Sequence, residues 1–315
     1  MPPLPSPAGD ALLRRGLKLT HLRLLAQIAE TGQLSLAAGR MGVTQPAASR
    51  LLAEVEAILG QKVHDRSGRG IGLLPAGLAL AERARRVLIE LDEAERELAT
   101  IRDGSMGHVR IGAVTAPALE LVLPALRAAR IAHPGLTAEV EVAPSADLCG
   151  MLLAGKLDLV LGRLPDGQDR RLLDMRPIGP EPVALVARRG HRLLSGDPVS
   201  FEALLAYDWV MPGTDSPIGR SISERLATLG FDLGQVRVTT ASFLFTLALL
   251  RTSNAIAPLA RAVADRFVEG ADAPFGVVPV DLGIVVPEYG LVTRRGMVPT
   301  PAAARMMELI LAQAG

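Results

Sequence analysis

The stretch GVTQPAASRLL, residues 42–52, places Thr-Gln-Pro at the mouth of an apolar-patterned helix. Thr44 is a good N-cap, and Pro46 is tolerated in a first turn, where its missing N–H costs little, so a helix beginning near Gln45 is predicted. The outer end of that helix carries Gln45, Ser49 and Arg50, hydrogen-bonding side chains separated only by the small Ala47 and Ala48. Such an end suits a flat or grooved partner pressed against it.

Upstream, Leu17 to Thr31 sets Leu19, Leu22, Leu25, Ile28 and Ala29 at helical spacing and stops at Gly32. Ser35 is the predicted cap of a short helix over 36–41, and Gly42 supplies the sharp turn into the next. Two helices joined so closely, the second with a polar N-terminal end, describe a helix-turn-helix. Downstream, QKVHDRSGRGIGLLPAG (61–77) alternates apolar residues around Gly68, Gly70 and Gly72 and reads as a β-hairpin wing. Arg66 and Arg69 on that wing are placed to lie along a DNA backbone. These glycines match neither a dinucleotide nor a P-loop pattern, and no Gly-Lys-Ser/Thr follows them.

Charge points the same way. The chain of 315 residues has a net charge of +1, but residues 1–75 hold nine Lys/Arg against five acids, so this end carries +4 and the rest −3. Phosphate binding requires a basic surface, because each neutralised phosphate releases counterions. The length suggests two or three compact units, with residues 1–16 read as a disordered tail. No run of eighteen uncharged apolar residues occurs, and MPPLPSPAGDALLRR (1–15) is unlike a signal peptide, so a soluble cytoplasmic protein without membrane contact is expected. Cys149, the single cysteine, has no internal disulfide partner and sits in an apolar helical run, where packing is its expected role.

From Leu17 to Gly77 the chain resembles the N-terminal winged helix-turn-helix of LysR-type transcriptional regulators. The residues that carry the resemblance are Ala37-Ala38, the run Thr44-Gln45-Pro46-Ala47-Ala48-Ser49-Arg50, Glu56, Leu59-Gly60, Arg66 and Ala76-Gly77. Val63-His64 stands where the family usually has an aromatic residue, and Leu74 where it has a threonine. The resemblance implies that the helix starting at Gln45 enters the major groove. Gln45 and Arg50 would then face base edges, an amide suiting adenine and a guanidinium guanine. Ser35, Thr44, Pro46, Ala47, Ser49 and the wing residues Arg66 and Arg69 complete the expected DNA-binding set, with the hydroxyls and wing arginines on phosphates.

Further along, Leu80, Ala84, Val87, Leu91, Ala94, Leu98 and Ile101 recur at steps of four and three, a coiled-coil seam. A linker helix over 76–104 is predicted to pair with its copy in a second subunit and to set the spacing of two DNA half-sites. Gly104-Ser-Met-Gly107 reads as a hinge. Beyond it, VRIGAV (109–114), TAEVEVA (137–143) and LDLVLG (157–162) alternate with the helical patterns of 119–132 and 146–157, a parallel sheet with crossovers. This region resembles the family's effector-binding domain, a two-lobed fold like that of periplasmic solute-binding proteins. The expected architecture is therefore α+β and multidomain: a winged helix-turn-helix (17–75), the linker helix, and a two-lobed α/β domain (105–315). Its first lobe is assigned to about 105–165 and 272–315, and its second to about 166–271. SNAIAPLA (253–260) departs from the glycines common there in the family.

Ligands of open α/β sheets sit beyond the carboxyl ends of the strands. Those ends are Thr115, Ser145, Arg163, Thr214 and Ser216, the expected effector site, with Arg163 either meeting a ligand carboxylate or held in a structural salt bridge. The low aromatic content (3%) favours a small polar or acidic effector. The expected function is sequence-specific DNA binding at an imperfect inverted repeat in a promoter, by a homodimer or homotetramer in contact with RNA polymerase, without cofactor, metal or catalysis. A solute-binding receptor and a metabolic enzyme are the alternatives. The five histidines lack ligand spacing, and no nucleophile elbow or Cys pair appears. Arg163→Ala is expected to spare DNA binding and alter only the effector response.

Overall fold

The computed structural model describes residues 11–67, 70–103, 107–196, 199–213, 216–228, 236–268 and 272–314. They form two compact units that divide at Arg102/Asp103.

The first unit contains helices α1 (Leu19–Thr31), α2 (Leu34–Arg40) and α3 (Gln45–Leu59), the antiparallel strands β1 (His64–Ser67) and β2 (Gly70–Leu73), and the long helix α4 (Pro75–Asp103). Thr44 caps α3, accepting a hydrogen bond from the Ala47 N–H at 3.4 Å. Gly42, at φ +67°, turns the chain from α2 into α3 through a left-handed conformation in which a side chain would be strained. The cap of α2 is not Ser35: the helix starts at Leu34 with Gln33 in the extended N-cap conformation, and Ser35 falls inside the first turn. The expected disordered tail is interrupted, because Ala11–Arg14 form a helical turn; residues 1–10 lie outside the described residues.

Leu24, Leu25 and Ile28 of α1, Ala37 and Ala38 of α2, and Ala48, Leu52 and Val55 of α3 close one core with Val63, Ile71 and Ala81. The wing is fastened to this core at both ends. Glu56 Oε1 accepts from the Val63 N–H at 3.0 Å, and Glu56 Oε2 lies 3.0 Å from Lys62 Nζ. His64 Nδ1 lies 3.0 Å from Glu56 Oε1, an ion-pair distance without hydrogen-bond geometry. Burial pushes the Glu56 carboxyl upward, but the Val63 N–H, Lys62 and His64 outweigh it and hold it below the ordinary value. Gly77 packs where a Cβ would stand 2.2 Å from the Val63 carbonyl oxygen, so only glycine fits there.

The second unit is built on strands β3 (His108–Ala113), β4 (Thr137–Val142), β5 (Leu159–Gly162), β6 (Leu173–Arg188), β7 (Trp209–Met211), β8 (Val236–Thr239), β9 (Ile256–Ala260), β10 (Phe275–Val277) and β11 (Val285–Arg294). Its helices of eight residues or more are α5 (Leu123–Ala132), α6 (Ser145–Leu153), α7 (Pro217–Thr228), α8 (Phe243–Thr252), α9 (Arg261–Val268) and α10 (Pro301–Gln313). A short helical turn, Thr115–Pro117, and a π-helical turn, Ala118–Val122, lead into α5. The strand order is β4-β3-β5-β11-β6-β9-β7-β8, with β10 also on β6. β3 runs parallel to β4 and β5, as crossover helices require.

The two lobes share β6. Residues 173–182 of β6 pair with β11, and residues 183–187 pair with β9. This moves the lobe boundary from its expected place. The start of β6 belongs to the first lobe, and 275–284 to the second, whose core holds Val278, Leu282 and Ile284. This 16-residue strand serves two sheets, and only its second part, from Val183 on, is an apolar run, so the polar, proline-rich first part carries no pattern that assigns it to the first lobe.

Cys149 is fully buried with Leu148, Leu152 and Val160 in the first lobe. Burial, and then Asp169, pushes its thiol up to about 11. The thiolate is the reactive form, so the native protein is expected to resist iodoacetamide near neutral pH and to be alkylated once unfolded. Mass spectrometry with and without denaturant checks this; alkylation of the native protein at the unfolded rate would contradict it.

Candidate nucleic-acid interface and effector cleft

On α3, Ala48, Leu52 and Val55 face the core, which leaves Pro46, Arg50, Ala53 and Ala57 along the opposite ridge. Thr44, Gln45, Pro46 and Arg50 are exposed, while Ala47 and Ser49 are half-buried. Neither Gln45 nor Arg50 has a hydrogen-bond or ion-pair partner among the described residues. These two free donors, Gln45 in the exposed first turn and Arg50 on the ridge, form a surface that can approach another molecule and bond to it. Ser35 is exposed on α2. Arg69 lies outside the described residues, and only the backbone of Arg66 is described, in β1.

The linker stripe divides in two. Leu80 packs against the winged-helix core, and Ala84 is buried. Both were expected in the intersubunit seam; the helical repeat fixes which residues share a face but not what that face meets. Val87 (40% exposed), Leu91 (46%) and Leu98 (67%) are open, and Ala94 is exposed between them. The side chain of Ile101 is not among those described.

In the second unit, Ala116, Ala260 and Val263 are buried together across the two lobes, with Leu119, Ile218, Phe243 and Phe267 packed around them. The Phe243 and Phe267 rings stand 5.5 Å apart. Thr115 opens the segment that carries Ala116, and its hydroxyl has no partner among the described residues. The other expected effector residues are engaged. Ser145 Oγ accepts from the Arg163 backbone N–H at 3.1 Å, and Ser216 Oγ caps α7 by accepting from the Gly219 N–H at 2.9 Å. Thr214 lies outside the described residues.

Arg163 ties the end of β5 to β6 and to the chain entering the paired part of β11. Its Nη2 meets Glu181 Oε2 at 2.6 Å, and its Nε donates to the Pro287 carbonyl at 2.7 Å. The β6–β11 ladder is irregular between Val286 and Tyr289, which frees that carbonyl from strand pairing. Of the two roles expected for Arg163, the salt bridge is the one formed, with a glutamate on the crossing strand. Sequence reasoning missed Glu181; the only signal was an acidic residue between prolines (PEP, 180–182) leading into an apolar run.

An exposed polar helix end on one unit and a two-lobed α/β fold on the other are the architecture of a ligand-responsive DNA-binding protein. The family description "Bacterial regulatory helix-turn-helix protein, lysR family" matches residues 19–78, and "LysR substrate binding domain" matches residues 102–315. The HTH-type transcriptional regulator GbpR of Rhizobium radiobacter is 45% identical over 257 residues, 81% of this chain and 85% of its own length. GbpR of Azospirillum brasilense is 33% identical over 89% of this chain and 81% of its own. In fold, the chain is similar to a full-length OxyR variant from Pseudomonas aeruginosa (TM-score 0.60, 18% identity, 95% of this chain and 94% of that one). It is also similar to full-length CbnR solved with its target DNA (TM-score 0.52, 23% identity, 95% and 100%). The chain belongs to the LysR family of DNA-binding transcriptional regulators, with a helix-turn-helix at its N-terminal end and a substrate-binding domain after it. Among the described residues, no helix is long and apolar enough to cross a membrane.

Proposed function

We propose that a homodimer, or a pair of dimers, presents two copies of α3 to an imperfect inverted repeat in a promoter, and that a small molecule between the lobes changes how this complex engages RNA polymerase. The observation that carries the reading is that Gln45 and Arg50, near the N-terminal end of α3, are both exposed and unpartnered among the described residues. Gln45 and Arg50 read base edges; Ser35, Thr44, Ser49, Arg66 and Arg69 hold phosphates, while Pro46 and Ala47 let the helix sit close. The solved complex of CbnR with DNA supports the same use of this fold. The work is done in the cytoplasm, and it is regulatory rather than catalytic, in keeping with the regulators that the chain resembles.

Fluorescence anisotropy against promoter DNA at several salt concentrations tests it. Affinity is expected to fall steeply with salt, because phosphate contacts release counterions. Salt-independent binding, or no preference for an inverted repeat, would reject it.

The 29 residues of α4 span about 43 Å and carry the open stripe Val87, Leu91, Ala94 and Leu98, which we assign to dimerisation. Burying a leucine is worth about 1.5–3 kcal/mol, so Leu91→Glu with Leu98→Glu is expected to yield monomers in sedimentation velocity. Dimers persisting in this variant would place the interface elsewhere.

The effector is assigned to the cleft at Thr115, beside the segment of Ser216. It biases the lobes only as far as its affinities for the two arrangements differ.

A further inference from the structure

The crossing strands also border a second space in the substrate-binding domain. A cavity of about 420 Å³ lies between Glu120 of the π-helical turn, Asp265 and Arg266 of α9, Ile178 of β6, Tyr289 of β11 and Gln313 of α10. None of Thr115, Ser145, Arg163 or Ser216 lines it. Its size is that of a small-metabolite site.

The charges around it are unequally satisfied. Asp265 accepts from Arg261 Nε at 2.8 Å, and Arg266 Nη2 donates to the Leu119 carbonyl at 3.2 Å. Glu181, near enough to act on Glu120, is paired with Arg163. Glu120 has no ion-pair partner among the described residues; the Tyr289 phenol lines the same cavity and lies near enough to act on it. Burial, and then Glu181, push the Glu120 carboxyl up, and Arg266 offsets them only in part, so its charge is costly while no cation pairs with it directly. Burial, followed by Glu120 and Glu181, pushes the Tyr289 phenol up to about 12, so it stays a neutral donor. A metal ion is a poor match, since the described residues contain no group of three His, Cys, Asp or Glu able to hold one.

We infer that this cavity is a second ligand site, for a small organic ammonium compound. Glu120 is its counter-ion, Tyr289 and Gln313 orient the rest of the ligand by hydrogen bonds, and Ile178 supplies an apolar wall. Because Glu120 belongs to the first lobe, α9 to the second, and Ile178 and Tyr289 to the strands between them, an occupied cavity favours one lobe arrangement. This is independent of whether the cleft at Thr115 binds an effector.

Isothermal titration calorimetry on the full chain tests the site with ethanolamine and 1,4-diaminobutane, and with 1,4-butanediol as the neutral counterpart. At least one amine is expected to bind saturably below about 10 mM, and the diol not to. Glu120→Gln, which keeps shape and removes charge, is expected to weaken the amine at least about tenfold while operator binding is retained. Gln313→Ala, at the exposed end of α10, is expected to weaken it about threefold and keeps the test valid if Glu120→Gln unfolds. Equal amine binding by the wild type and both variants, or saturation by neither amine, would overturn the inference.

Discussion

Replacing Arg50 by alanine is expected to weaken operator binding by about 5- to 150-fold per half-site and to relax base preference at the contacted position. The size follows from a guanidinium donating two parallel hydrogen bonds to guanine O6 and N7, an arrangement worth roughly 1–3 kcal/mol of discrimination. Arg50 is exposed, has no partner among the described residues of its own chain and stands opposite the buried Ala48, Leu52 and Val55. Its loss therefore leaves the core intact, and stability is expected to stay within about 0.5 kcal/mol. Any loss of affinity then belongs to recognition and not to folding. Arg50→Lys keeps the charge but not the planar fork, so it should recover nonspecific affinity and not selectivity. A binding assay over operator variants with single base changes separates the two; unchanged affinity and preference in Arg50→Ala would remove Arg50 from the reading surface.

Because Arg163 is in a largely buried ion pair, Arg163→Ala does not alter the effector response alone: it is expected to destabilise the substrate-binding domain by about 3–5 kcal/mol, which denaturant unfolding of the full chain measures. Both members of the pair are largely buried, the Arg163 side chain 14% and the Glu181 side chain 8% exposed. Removing the guanidinium strands the Glu181 carboxylate without its cation and leaves the Pro287 carbonyl without its donor. Replacing both partners by apolar side chains, Arg163→Met with Glu181→Leu, leaves no unpaired charge and is expected to restore most of the loss. DNA affinity should be retained in the single variant, because α3 lies in the other compact unit. The effector response should be lost, since Arg163 ties the end of β5 to both crossing strands. A single variant as stable as the wild type would show that this pair does not fasten β5 to the crossing strands.

What could be read from sequence was local. Thr44, Pro46 and Gly42 act within one turn of where they stand, so α3 and its approach were visible in eleven residues. The wing and the alternating pattern of the first lobe were also legible, because apolar periodicity follows from one buried face. What failed depended on distant partners. Ser35 has the chemistry of a cap, but the extended backbone at Gln33 starts α2 one residue before it. Leu80 and Leu91 share a stripe, yet only Leu80 reaches the winged-helix core. Glu181 lies 18 residues from Arg163 and Pro287 lies 124 away, so no spacing rule joins them. The cavity at Glu120 draws its walls from segments as far apart as 120 and 313.

The threading of β11 and α10 back into the first lobe has a consequence during synthesis. The winged helix-turn-helix is complete once residue 103 has left the ribosome, whereas the sheet of the first lobe stays unfinished until residues 285–294 arrive to cover β5 and β6. Domains generally fold as units in the order they emerge, so nascent chains carry a finished DNA reader well before they can sense anything. Polypeptides released early, by a premature stop or by proteolysis, would compete for operators without answering to a metabolite.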